Sequence, residues 1–288
     1  MNNKIYLMTA IIVFASVGAL LITPTLTSAA SAATQNSPFD TSNTSTTAKK
    51  SSSKSSAATT TSIPTKSLSC GEVIKESVKL STNLDCTTDG LIVGADGITI
   101  DLNGHTLNGP GAHSSKIGIM LATSSGVTVQ GAGTISGFQA GILNTGGQDN
   151  TITGLTFADN QIAIFLTGAK TTDIEKNMIS NNDIGMASHS SQDTTFAQNL
   201  LGSNTLAGVT LVNSADNKID TNIVEGSNNG VFVDGQSTGN KITTNTIMKN
   251  TGVDVNNANG LPININKNTF TANNCNTSVP DGLCLANK

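Results

Sequence analysis

Ile174-Glu175-Lys176-Asn177-Met178-Ile179-Ser180-Asn181-Asn182 returns as Phe196-Ala197-Gln198-Asn199-Leu200-Leu201-Gly202-Ser203-Asn204, then again from Ile219, Ile242 and Ile265. The first Asn of the unit falls at 177, 199, 222, 245 and 268, so the unit repeats at an almost constant interval, in the range of known solenoid repeats. A weaker copy, Ile152 to Asn160, precedes them, and Val129 and Ile100 start still earlier turns. Between the copies runs a second element, a Gly followed by alternating apolar residues, beginning at Gly118, Gly141, Gly185, Gly208, Gly230 and Gly252, with Ala163 in the same place. Short stretches of period 2 between Gly, Asn and Asp turns read as about three strands per repeat. Strands this short bury one face and close no core alone, so they stack on their neighbours. The expected fold is all-β: a parallel solenoid of about eight coils.

A leucine-rich repeat has a similar period, but the position it fills with Leu is Asn in five coils, and no helical stretch follows. The tandem repeats resemble the right-handed parallel β-helix proteins, and the NosD-type exported β-helix family in particular. The opening Cys70-Gly71-Glu72 through Cys86 to Ile98-Thr99-Ile100-Asp101-Leu102-Asn103-Gly104-His105 is similar to the first coil of that group. The resemblance covers residues 68 to 284 and implies a right-handed coil. It is specific for fold and a poor guide to activity, because the matched positions are structural. The wider superfamily holds carbohydrate-binding proteins, polysaccharide lyases, hydrolases and epimerases, and NosD-type proteins are associated with copper delivery.

Composition narrows the partners. The 288 residues carry 15 Lys and no Arg, a net charge of −4, and only 12% charged residues. Nucleic acid, which needs basic stripes, is excluded as a partner. Lys4, the apolar run Ile5–Ile22 and Ala30-Ser31-Ala32 describe a signal peptide or N-terminal membrane anchor over 1–33. Residues 34–67, mostly Ser, Thr, Ala, Lys and Asn, are expected to be a disordered stalk, and 68–288 the β-helix domain. The protein is then secreted or held at the cell surface, touching membrane only through an uncleaved N-terminal segment. Four cysteines in an exported chain read as disulfides. Three pairings are open; proximity favours Cys70–Cys86 and Cys275–Cys284, one pinning each end of the rod.

The asparagines at 177, 199, 222, 245 and 268 read as a structural ladder, because stacked amides hydrogen-bond along a coil axis. Site candidates come from outward positions of the Gly-led strands. One column reads Met120, Leu143, Phe165, Ala187, Thr210, Phe232, Asp254; the next reads Ala122, Thr145, Thr167, His189, Val212, Asp234, Asn256. A sugar ring lying on Phe165 and Phe232 and bonding to His189, Asp234 and Asp254 is the expected binding mode, with a polysaccharide, a cell-surface glycan or another surface protein as partner. Asp234 and Asp254, one coil apart with carboxyls ~8 Å from each other, form the catalytic alternative for an inverting hydrolase, with His189 a further candidate ~10 Å from Asp234, beyond direct hydrogen bonding. The absence of Arg, which many β-helix lyases of the resembled superfamily use to meet substrate carboxylates, speaks against catalysis; a lyase with Lys as its base would draw on Lys218 or Lys241, the nearest turn residues. For metal, His105, His113 and His189 are scattered and no pair has ligand spacing. No cofactor is therefore expected; calcium at the Asp and Asn turns and copper are the ions to consider. The expectation is an extracellular carbohydrate- or surface-binding and structural module. The alternatives are a polysaccharide-modifying lyase or hydrolase and a NosD-like accessory to copper-enzyme maturation.

Overall fold

The structure, a computed structural model, describes residues 62–285. The expected leader or anchor and the stalk up to residue 61 lie outside them. Three parallel sheets of ten, nine and ten strands wrap one core, and every strand pairs with its equivalents one coil away. Ten stacked strands at ~4.8 Å make a rod of roughly 43 Å, about nine coils against the eight expected. The β-helix also begins earlier than expected, since Thr65–Lys66 already pairs with Lys79 and Leu80. Among the described residues there is no α-helix, only a 3-10 turn at Ile263–Ile265.

One coil shows the logic. Asp173–Glu175 lies in the first sheet, Met178–Ser180 in the second and Ile184–His189 in the third. The first sheet sends Val129, Ile152, Ile174, Phe196, Ile219 and Ile242 inward, in register. The second sends Ile135, Phe157, Ile179, Leu201, Val224 and Ile247. All of these side chains are buried. Each fully buried one is worth about 1.5–3 kcal/mol, so the core, not propensity, sets the register.

Corners are made by one device used three times. A residue in the left-handed region turns the chain, and the next residue points a polar side chain inward. At the corner between the first and second sheets the turners are Lys176, Gln198, Thr221, Thr244 and Ala272, all at φ 57–59°. The residues that follow are Asn177, Asn199, Asn222, Asn245 and Asn273. Each Asn Nδ2 donates to the next Asn Oδ1 at 3.0 Å. Its backbone N–H donates to that same oxygen. The second amide proton of Asn222 reaches the Phe196 carbonyl at 2.8 Å. The side chain is thereby fully used, the condition for burying an amide without penalty.

The ladder differs from expectation at its last rung. Asn268 does not follow Asn245; it accepts from Asn240 Nδ2 at 3.0 Å, in the ladder Asn217–Asn240–Asn268 at the corner between the third and first sheets. Asn273 takes its place. The cause is the longer loop before the last coil, which stretches the Asn-to-Asn spacing to 28 residues. The corner between the second and third sheets carries Asn160, Asn182 and Asn204 in a third ladder. Strand-leading glycines sit beside this corner because coils approach closely there. A Cβ on Gly185 would lie 2.5 Å from the Gly208 carbonyl oxygen and 2.8 Å from Leu201.

Disulfides join Cys70 to Cys86 and Cys275 to Cys284, near the two ends of the rod. Cys275 closes the inward column of the second sheet, in register with Ile247.

Candidate functional site

The third sheet has the longest strands, up to six residues. From Ile117 to Val233 its strands contain no Lys, Asp or Glu. The other two sheets present Asp173, Glu175, Lys218, Asp220, Glu225 and Lys241 outward. A flat, uncharged face of long strands beside a charged first sheet is a surface suited to docking.

Two outward columns cross that face. Met120, Leu143, Phe165, Ala187, Thr210, Phe232 and Asn256 align one coil apart. Beside them Thr145, Thr167, His189 and Val212 align, each half-buried. Around the first column Ile117, Ala140, Leu143, Ile162, Phe165, Ile184 and Ala187 form an apolar cluster separate from the core. Of the expected site residues it includes Phe165.

The expected contacts need four corrections. Phe165 is fully buried and Phe232 is 5% exposed, so neither offers a bare ring for stacking. Asp254 is not in the outward column at all. The last coil pairs Val231 with Val255 and Phe232 with Asn256, a longer step than aligning Gly230 with Gly252 would give. That shift carries Asp254 to the inward corner position, 2% exposed. There its Oδ1 accepts from Asn250 Nδ2 at 2.9 Å and its Oδ2 from the backbone N–H of Asn276 and Thr277 at 2.9 and 3.1 Å. Asp234 is occupied by its own turn: Oδ1 accepts from Ser237 Oγ at 2.6 Å, Ser237 N at 2.8 Å and Asn213 N at 3.1 Å. These two carboxylates therefore do not face a common substrate, and both hold backbone. His189 stands where expected, in the half-buried column, and is engaged.

Elsewhere, Lys218 lies on the first sheet and pairs with Asp220 at 3.1 Å. Lys241 is its register neighbour. Partial burial works against ionising Asp220, but hydrogen bonds from Thr243, Lys218 and Thr221 outweigh it and hold the carboxyl below the usual carboxylate range. The Thr243 Oγ1 bond is 2.6 Å. A cavity of ≈ 290 Å³ opens at the first coil between Leu68, Glu72, Val73 and Lys75, at the N-terminal end of the described rod. One surface feature had gone unread in the sequence: Met178, Leu200 and Ile223, all exposed, stand in one column of the second sheet. Their signal is the apolar residue directly after Asn177, Asn199 and Asn222.

Parallel three-sheet coils with polar ladders at each corner define a right-handed parallel β-helix repeat protein. The chain belongs to the NosD family, described as periplasmic copper-binding protein, whose pattern matches residues 33–205 and 96–283. Among solved structures it is similar to the polygalacturonase from Erwinia carotovora ssp. carotovora, at 13% identity over 69% of this chain and 82% of that one, with a TM-score of 0.42. It is also similar to the A-module of the Azotobacter vinelandii mannuronan C-5 epimerase, at 13% identity over 72% and 74%, with a TM-score of 0.34. No curated protein matches. Family membership and the two disulfides make this an extracytoplasmic protein.

The family's copper does not fit the donors present. His105 is on the turn between the first and second sheets, with Nδ1 3.2 Å from Asn83 Oδ1. His113 is in the loop before Ile117, and His189 ends a third-sheet strand three coils later. All four cysteines are in disulfides. Among the described residues no three His, Cys, Asp or Glu side chains gather at one point. No step through copper is derived.

Proposed function

We propose that this protein is an extracytoplasmic binding module, displayed at the cell surface on the Ser/Thr-rich stretch before its first coil, whose third sheet takes a polysaccharide or cell-surface glycan. One observation carries the reading: the column Thr145, Thr167, His189, Val212, half-buried and one coil apart at the edge of an uncharged face. Each hydroxyl is at once a donor and an acceptor, and the imidazole adds a third polar group. A ligand of repeating sugar units meets a surface that repeats every ~4.8 Å, so one contact is copied along the rod. The two phenylalanines contribute by packing within the outward column, not by stacking on a sugar. In this reading the ladders supply rigidity and the face supplies recognition.

A glycan array probed with the full chain tests it. Binding to polysaccharides, reduced in Thr145→Lys/Thr167→Lys, is the expected result. Failure to bind any glycan would overturn the carbohydrate reading.

A further inference from the structure

Each ladder asparagine between the first and second sheets is followed two residues later by a core side chain: Asn177 by Ile179, Asn199 by Leu201, Asn222 by Val224 and Asn245 by Ile247. The core thereby keeps hydroxyls out of that position, although Ser and Thr crowd the turns. Beyond the last rung this constraint ends. Asn276-Thr277-Ser278 puts a hydroxyl two residues after an amide, and no other asparagine of the described residues has Ser or Thr there. In an exported chain this is the acceptor pattern for an N-linked glycan.

The fold leaves that amide available. Asn276 is exposed, at the corner between Asn274–Cys275 of the second sheet and Ser278–Val279 of the third. Its backbone N–H is held by Asp254 Oδ2 at 2.9 Å. Thr277 Oγ1 accepts from the Asp254 N–H at 2.9 Å, and Ser278 Oγ donates to the Pro280 carbonyl at 2.9 Å. The Asn276 carboxamide alone has no hydrogen-bond partner among the described residues.

The same corner borders an open edge. Ser278–Val279 is the last strand of the third sheet and Glu72–Ile74 the first. Val73 and Val279, 48% and 47% exposed, stand at the two tips of the outward column that runs through Phe165. A parallel sheet with an exposed Val on the terminal strand at each tip can be extended by a second copy, and such head-to-tail contacts repeat into filaments.

We propose that Asn276 carries an N-linked oligosaccharide that shields this edge. Asn276 Nδ2 attacks the anomeric carbon of an oligosaccharide borne on a lipid phosphate. The C–N bond forms, the bond from that carbon to the phosphate oxygen breaks with its electron pair leaving on the lipid phosphate, and the amide releases one proton. A bulky, hydrated chain then stands two residues from Ser278, where the first strand of another copy would have to dock.

The full chain is purified from its own cells, reduced and cut with trypsin. Asn276 falls in the peptide spanning 268–288, and the other match to the pattern, Asn43, falls outside it. The expected result is that this peptide is heavier by the mass of a glycan in wild type and in Ser278→Thr, and bare in Asn276→Gln. In sedimentation, Asn276→Gln should form species whose mass grows with concentration, while wild type stays a single chain. Adding Val279→Lys to Asn276→Gln should return it to a single chain. A bare peptide in wild type would overturn the site. A glycosylated wild type whose Asn276→Gln variant does not associate would overturn the shielding role.

Discussion

Asp254 Oδ1 accepts from Asn250 Nδ2 at 2.9 Å, and with that bond a side-chain ladder ends in a carboxylate. An amide rung such as Asn182 accepts from the coil before it and donates to the coil after it. The last rung meets donors on both sides, Asn250 and the backbone of Asn276 and Thr277. A carboxylate is the side chain with acceptors only. Asp254 thus ties the ladder to the loop closed by Cys275–Cys284.

Asp254→Asn turns an acceptor into a donor facing two N–H groups. Each buried group left unpaired costs about 1–3 kcal/mol. Hydrogen exchange at residues 274–279 should accelerate while coils before Asn222 stay protected. Unchanged exchange at the C-terminal end would show that the disulfide alone holds it.

Asn222→Leu removes a rung that accepts from Asn199 and donates to Asn245 and Phe196. Several buried partners lose their bonds together, so a loss of about 3 kcal/mol or more is expected in denaturant unfolding. A variant as stable as wild type would mean the ladder is ornamental.

Ser227 occupies a ladder place with a side chain too short to span the coil spacing, and its buried Oγ has no hydrogen-bond partner among the described residues. Asn250 Oδ1 already accepts from the Ser227 backbone N–H at 3.0 Å. Ser227→Asn would complete the run from Asn204 to Asn250 and raise stability by about 1 kcal/mol. A lower melting temperature would argue that the corner has no room for an amide.

Acid stability should depend on Asp220. Its folded carboxyl titrates below the ordinary range, so its contribution is present above the unfolded value of about 3.9 and is lost as pH falls through the lower folded value. Thr243→Val removes the 2.6 Å bond and should flatten the loss of stability below about pH 4, with little change in pH dependence near neutrality. Unfolding curves from pH 2 to 7 give the comparison; an identical acid limb would exclude Asp220 as a contributor.

The repeat was legible wherever its spacing held steady, because a constant period lets inward Ile and Asn be read straight down the chain. Legibility failed where the spacing changed. The longer step before Val255 turned Asp254 from an outward group into a buried cap, and a 28-residue step moved Asn268 into another ladder. Neither insertion alters the local motif, so only the paired register reveals them. Phe165 illustrates a second limit: alternation gives the direction of a side chain correctly, but says nothing of how deeply it is buried.

Calorimetric titration of an array-positive polysaccharide into the full chain, with Thr167→Lys and Thr195→Lys beside it, separates the uncharged face from its charged neighbour. Thr195 lies outward on the first sheet, one coil from Asp173 and Lys218. Binding weakened at least tenfold by Thr167→Lys and unaffected by Thr195→Lys is the predicted result. Equal effects of both substitutions, or none from either, would contradict a binding site on the third sheet.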